Sequence, residues 1–194
     1  MIAGHFGFAA IVKSREPSTP LWALMLACQW LDVVFLPLFA AGIETIRPAD
    51  GTSGHGYGEI VIHADWTHSL LGMLALSALF GGVAAAAWGR RSGIVLGAVV
   101  ASHWLLDLLV HRSDLAILPA NAGGLPRVGL GLWQAPLSSL GVELALVVGG
   151  ALLYGRAARR AERSSGRSTG RATLAAALIL ASGVITLALN AFGL

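Results

Sequence analysis

The sequence predicts an all-α, polytopic integral membrane helix bundle of about five transmembrane helices plus a short N-terminal half-helix, all in one domain spanning residues 1–194. Three observations carry that expectation. The chain is 56% hydrophobic and 12% charged, with a mean hydropathy of +0.73, beyond what a soluble globular composition carries. Apolar stretches near 20 residues recur between charged patches, and at about 1.5 Å per residue each covers a bilayer core of roughly 30 Å. The cations gather in alternate connections, as the positive-inside rule requires. The same numbers exclude an ordinary cytosolic enzyme and a disordered chain. A disulfide scaffold is excluded too, because Cys28 is the single cysteine.

In chain order, Ile2–Val12 is apolar but too short to cross. Without a basic leader or an A-x-A cleavage site it reads as an interfacial or re-entrant half-helix and not as a signal peptide. Five spans follow at about Leu21–Ile43, Thr67–Gly89, Gly93–Val110, Leu137–Gly155 and Ala172–Leu194. Lys13 and Arg15 precede the first, and Arg90 and Arg91 join the second to the third. Arg156, Arg159, Arg160, Arg163, Arg167 and Arg171 join the fourth to the fifth, whereas Arg47, Arg112 and Arg127 lie in the alternate loops. That distribution places the Lys13 and Arg15 side in the cytoplasm and the long loops Glu44–Trp66 and His111–Pro136 outside it. Residues 156–171 are expected to form an Arg-rich cytoplasmic linker facing phospholipid headgroups. The net charge of +3 is therefore a topology signal, and no nucleic-acid partner is expected.

An ionisable group at the centre of a bilayer costs roughly 2.5–3.5 kcal/mol on insertion scales, so each needs a partner or a task. Asp32, His103, Asp107 and Glu143 all fall inside predicted spans. On the third span, His103, Asp107 and His111 stand at i, i+4 and i+8, which places them within an arc of about 80° on one helical face. His63 and His68 stand at the outer end of the second span, Asp32 in the middle of the first and Glu143 in the outer third of the fourth. The predicted topology gathers these imidazoles and carboxylates into the outer half of the bundle. Mixed nitrogen and carboxylate ligands suit Zn²⁺, with Mn²⁺ or Fe²⁺ next, over Ca²⁺ or Mg²⁺. A divalent metal with an open coordination position lowers the pKa of a water towards about 7 and so supports hydrolysis.

Plainer roles stand beside these. Asp65 or Thr67 would cap the second span; His63 and His55 would be solvated loop residues and His5 an interfacial one. His68, His103 and Asp107 would hydrogen-bond between helices, and Glu143 would neutralise Arg112 or Arg127. Trp66, Trp104 and Trp133 read as interface-belt or packing residues.

Gly4-His5, an Asp deep in the next span, His63-Ala-Asp-Trp-Thr-His-Ser-Leu-Leu71 and Ser102-His-Trp-Leu-Leu-Asp107 occur in that order. Together they resemble the YdjM-like family of inner-membrane-associated proteins classed as metal-dependent hydrolases, and Leu115-Ala-Ile-Leu-Pro119 resembles that family's closing loop. The resemblance covers roughly residues 4–119. It implies a bacterial inner membrane as the location and site roles for His5, Asp32, His63, His68, His103 and Asp107. Two departures stand out: Leu31-Asp-Val-Val-Phe35 keeps one carboxylate where the family clusters several, and Ala64-Asp65 replaces an Arg-Gly that would hold a phosphate.

The expectation is therefore a membrane-embedded hydrolase in which His68, His103 and Asp107 bind a divalent metal, first of all zinc. Asp32 and His5 are further ligands or supporting partners, and His111 adds to the set. Asp65, His63 or Glu143 would act as general base or proton shuttle. A recessed site in a membrane suits an amphiphilic substrate such as a lipid ester or phosphoester, with membrane lipids as partners. The rival readings are a haem or quinone redox protein with His68 and His103 as axial ligands, a transporter using Asp32, Asp107 and Glu143 as a relay, and a non-catalytic membrane partner with a structural metal.

Overall fold

The computed structural model describes residues 1–52, 54 and 59–192; His55 lies outside them. The chain is mostly helical, with α1 (Ile2–Arg15), α2 (Leu21–Ala27), α3 (Trp30–Ala40), α4 (Leu70–Val110), α5 (Pro136–Ser164) and α6 (Gly170–Phe192). The all-α expectation is amended by one antiparallel ribbon in the loop before α4, β1 (Thr45–Pro48) and β2 (Ile60–His63), in which Thr45 faces His63. Three helices, Leu70–Val110, Pro136–Ser164 and Gly170–Leu189, are long and apolar enough to cross a membrane. The pair α2 and α3 makes a fourth when taken together across its 49° bend.

The bend falls in the predicted first span, where α2 ends at Ala27 and α3 restarts at Trp30. A break of this kind frees carbonyls that an unbroken helix would consume, and in an apolar setting such backbone needs protein partners. Within α4 the backbone leaves helical geometry at Gly89 (φ 84°, ψ 161°), a left-handed conformation that glycine adopts at little cost. Small residues on the two sides of that point meet: a Cβ on Gly97 would lie 3.1 Å from the Ser77 carbonyl, and one on Gly93 would lie 2.6 Å from the Gly81 carbonyl. These pairings are centred near Gly89, so the two halves of α4 fold back on each other as a hairpin. Gly81, Gly93 and Gly97 let their backbones approach closely.

Helix α1 is buried through Ala3, Gly4, His5, Gly7, Ala9 and Ala10, mostly residues with little or no side chain. Its tightest contact is with α5, where a Cβ on Gly7 would fall 2.5 Å from the Leu146 backbone and one on Gly150 would strike the Gly7 carbonyl. The short first helix thus inserts into the bundle. Beside this contact, Gly183 of α6 leaves room for the Val147 side chain. Large apolar residues point outward along these helices, among them Leu79, Val83, Ile94, Leu105, Leu174 and Ile185. A water-facing surface rarely carries so many, and a lipid-facing one requires them.

Two expected boundaries are corrected. The N-cap of α4 is neither Asp65 nor Thr67 but Ser69, whose hydroxyl accepts from Gly72 N at 3.0 Å. The next orphan donors, Leu70 N and Leu71 N, go to the carbonyls of Ala116 and Ile117, so the loop after α4 is tied to its opposite end. At the other side of the molecule α5 continues to Ser164. The arginines from 156 to 163 therefore lie on helix, and the connection shrinks to residues 165–169.

Candidate metal centre

Four elements converge where the first half of α4 begins and its second half ends. His68 comes from the turn before α4, His103 and Asp107 from successive turns of its second half, Asp32 from the first turn of α3, and His5 from α1. His5, His68, His103 and Asp107 are nearly fully buried, while the Asp32 side chain is 39% exposed. Two groups of metal-competent atoms share His103: His5 with His103 and Asp107, and Asp32 with His68 and His103.

The hydrogen bonds behind the rings decide what the rings present. His103 Nδ1 stands 2.7 Å from the Cys28 carbonyl oxygen. A carbonyl only accepts, so Nδ1 carries the proton and Nε2 keeps its lone pair. That carbonyl is available because the helix breaks after Ala27. His68 Nδ1 stands 2.8 Å from the Thr67 hydroxyl, on the far side of the ring from the cluster.

The inward atoms are His68 Nε2, His103 Nε2, Asp32 Oδ1 and Asp107 Oδ2. The two nitrogens are 3.3 Å apart. Asp32 Oδ1 is 3.4 Å from His68 Nε2 and 3.7 Å from His103 Nε2, and Asp107 Oδ2 is 3.7 and 3.1 Å from the same two atoms. A tetrahedral ion with ligand bonds of about 2.0–2.1 Å has edges of about 3.3–3.4 Å, and these separations scatter around that length. The two carboxylate oxygens and the Nε2 of a neutral His103 are acceptors, and His68 Nε2 joins them in the tautomer whose Nδ1 carries the proton. One proton would relieve one contact among them, whereas one divalent cation would relieve all of them together. The donor set therefore fits a metal of the zinc type.

Asp107 is held from behind. His5 Nε2 lies 3.1 Å from Asp107 Oδ1, and the His5 ring stacks on His103 with centroids 3.8 Å apart. His5 thus turns the carboxylate so that Oδ2 faces the two nitrogens, the supporting role that metal ligands need from their neighbours. Trp104 donates from Nε1 to the His68 carbonyl at 2.8 Å, and Phe35 sets its ring edgewise to His68.

Comparison with family models, with curated proteins and with solved structures finds no match. The geometry alone carries the site.

The remaining sequence candidates stand apart from this core. His111 is the C-cap of α4, where the chain turns extended (ψ 148°), and its ring stays beside Asp107 at the edge of the cluster while its Nδ1 is taken by Asp114. Its Nδ1 lies 2.9 Å from Asp114 Oδ1 and its Nε2 3.9 Å from Asp107 Oδ2. Asp65 is paired with Arg127, whose Nη2 donates to Oδ2 at 2.6 Å. That carboxylate beside it raises the Arg127 pKa above its ordinary value. His63 ends β2 opposite Thr45. Glu143 is fully buried in α5 and accepts from Gly4 N of α1 at 3.2 Å, beside His5. It sits among the helices that carry the cluster and is not one of the grouped ligands.

Sequence reasoning missed Glu44. It is fully buried at the start of the loop after α3 and accepts hydrogen bonds from Trp66 N, Thr67 N and the Thr67 hydroxyl. The available signal was a lone acid directly after an apolar span, a position that reads equally well as a solvated helix end.

Proposed function

We propose that this chain is an integral membrane protein crossing the bilayer five times, with α2 and α3 as one broken crossing and the α4 hairpin as two. In this reading it is a metal-dependent hydrolase of a bacterial inner membrane, related to the YdjM-like family. The supporting observation is the convergence of His68 Nε2, His103 Nε2, Asp107 Oδ2 and Asp32 Oδ1, with the two nitrogens 3.3 Å apart and each carboxylate oxygen 3.1–3.7 Å from both of them.

His68, His103 and Asp107 would hold the ion, and zinc suits two nitrogens and one carboxylate. The ion supplies Lewis acidity and a water of lowered pKa. The chain's own residues supply the rest. His5 fixes the Asp107 carboxylate, and the walls built by Phe35, Trp104 and α1 exclude bulk water. Asp32, the one partly open group, stands beside the two inward nitrogens without being needed to hold the ion, and it would take up the proton of an attacking water. Asp65, engaged by Arg127, is released from the general-base role that the sequence suggested for it.

The open side also speaks for the substrate. Leu36 and Phe39 continue the Asp32 face of α3 by one and two turns, and they are 61% and 43% exposed. A molecule whose ester or phosphoester reaches Asp32 would lay its remainder along this apolar ridge, which describes an amphiphile. Axial haem ligation is disfavoured, because a macrocycle has no space between two Nε2 atoms 3.3 Å apart.

The test is hydrolysis of a panel of fluorogenic lipid esters and phosphoesters by the zinc-loaded protein in micelles. The proposal expects turnover that Asp107→Asn abolishes together with metal binding, and that Asp32→Asn lowers at least ~100-fold with the metal retained. Turnover equal to wild type in both variants would contradict it.

A further inference from the structure

Glu44 and Thr67 form a chain that ends on His68, and with Glu44 as a carboxylate its hydrogen-bond arithmetic has one solution. Glu44 Oε1 accepts from Trp66 N and Thr67 N, each at 2.9 Å. The Thr67 hydroxyl lies 3.1 Å from Oε1 and 3.0 Å from Oε2. It also lies 2.8 Å from His68 Nδ1. A hydroxyl has a single proton to give. If that proton went to Nδ1, an oxygen lone pair would face a buried carboxylate at 3.0 Å with nothing between them. If it goes to Glu44, the hydroxyl is free to accept from Nδ1–H, and every group in the chain is satisfied.

We infer that Glu44, acting through Thr67, is a positioning residue that fixes His68 in the Nδ1–H tautomer and so keeps the Nε2 lone pair turned towards the cluster. The inference rests on the metal-centre reading for its purpose, but not for its geometry. It parallels the Cys28 carbonyl behind His103, with a side-chain carboxylate doing for one imidazole what a backbone oxygen at a helix break does for the other. The two devices come from opposite ends of α3: Cys28 lies at the break before it and Glu44 just beyond its last turn. One segment thereby orients both nitrogen ligands. Polar partners of this kind typically change metal affinity by 10–100-fold.

Substitutions separate the tautomer from mere packing. Thr67→Val keeps the shape and removes the acceptor, Thr67→Ser restores the hydroxyl, and Glu44→Gln replaces one carboxylate oxygen by an amide donor that opposes the hydroxyl. The experiment is ¹⁵N NMR of histidine-labelled full-length protein in micelles after chelator treatment, with His68 assigned by difference from His68→Ala, followed by zinc titration of the same samples.

The expected result is an Nδ1–H signature for His68 in wild type and Thr67→Ser, lost in Thr67→Val. Zinc affinity should fall ~10–100-fold in Thr67→Val and ~10-fold in Glu44→Gln, and change by less than ~3-fold in Thr67→Ser. An Nε2–H signature in the wild type, or wild-type tautomer and affinity in Thr67→Val, would overturn the inference. The expected tautomers without zinc binding in any sample would support it while contradicting the metal-centre reading, so the two fail separately.

Discussion

Two polar clusters lie within a few residues of each other in this molecule and are built on opposite principles. In the outer one, donors and acceptors alternate: Arg127 donates to the Asp65 carboxylate and, at 2.8 Å, to the Asp114 carbonyl. Asp114 in turn meets His111 Nδ1 at 2.9 Å and accepts from Ile62 N at 3.2 Å. Cation and carboxylates offset one another, and the group locks the loop after α4 to the turn before it. In the inner cluster, among the described residues, no arginine or lysine is paired with Asp32 or Asp107; the N-terminal ammonium stands 3.9 Å from Asp107 Oδ1, on the side away from the two inward nitrogens. A tally of His and Asp would rate the two clusters alike. Donor arithmetic separates a structural clasp from a group of side chains that could hold a cation.

The largest effect should come from breaking the inner cluster. Asp107→Asn removes a charge shared by His5, His68 and His103, and elemental analysis should show bound metal falling from about one equivalent to below ~0.1. Next comes the scaffold that delivers His5. Gly7→Leu places a side chain against the Leu146 backbone, and a thermal or denaturant melt should show a loss of about 3 kcal/mol or more. The outer cluster should respond differently. Arg127→Met leaves the Asp65 carboxylate without its cation and the Asp114 carbonyl without its donor, and should cost about 1–2 kcal/mol in the same melt, yet leave metal content unchanged.

The smallest effect belongs to a surface pair far from both clusters. Arg91 donates to both oxygens of Glu16 at 3.0 Å and holds that carboxyl below its ordinary value of 4.5. A depressed folded-state pKa stabilises above the ordinary value, and the contribution is lost as pH falls through the depressed one. Melts of Arg91→Gln and wild type should therefore differ slightly at pH 7 and converge in acid.

Much of the inner cluster was legible because its spacing is short-range. His103 and Asp107 share a helical face by periodicity alone, and Thr67-His68-Ser69 announces a helix start, although the cap is Ser69 and not the residue expected. The Arg90-Arg91 pair marked the reversal within α4. What could not be read depends on long-range closure. His111 has the right phase for the ladder and stays 3.9 Å from Asp107 Oδ2, but its Nδ1 is engaged by Asp114, a partner that comes from the loop beyond the helix. Asp65 meets Arg127 across 62 residues, and Glu44 reaches Thr67 only because β1 and β2 fold the loop back. The break at Cys28 carries no Pro or Gly to announce it, since its immediate neighbours are Ala27 and Gln29. The depth of α1 is set by Gly7 against Gly150, a contact between two residues without side chains.

The central claim is that the inner cluster is a cation site and the outer one is not. Its most direct test is elemental mass spectrometry of detergent-purified wild type beside His68→Ala, Asp107→Asn and Asp65→Asn. The account predicts near-stoichiometric zinc, manganese or iron in the wild type and in Asp65→Asn, and its loss in the other two. A metal-free wild type, or metal retained in His68→Ala and Asp107→Asn, would contradict it.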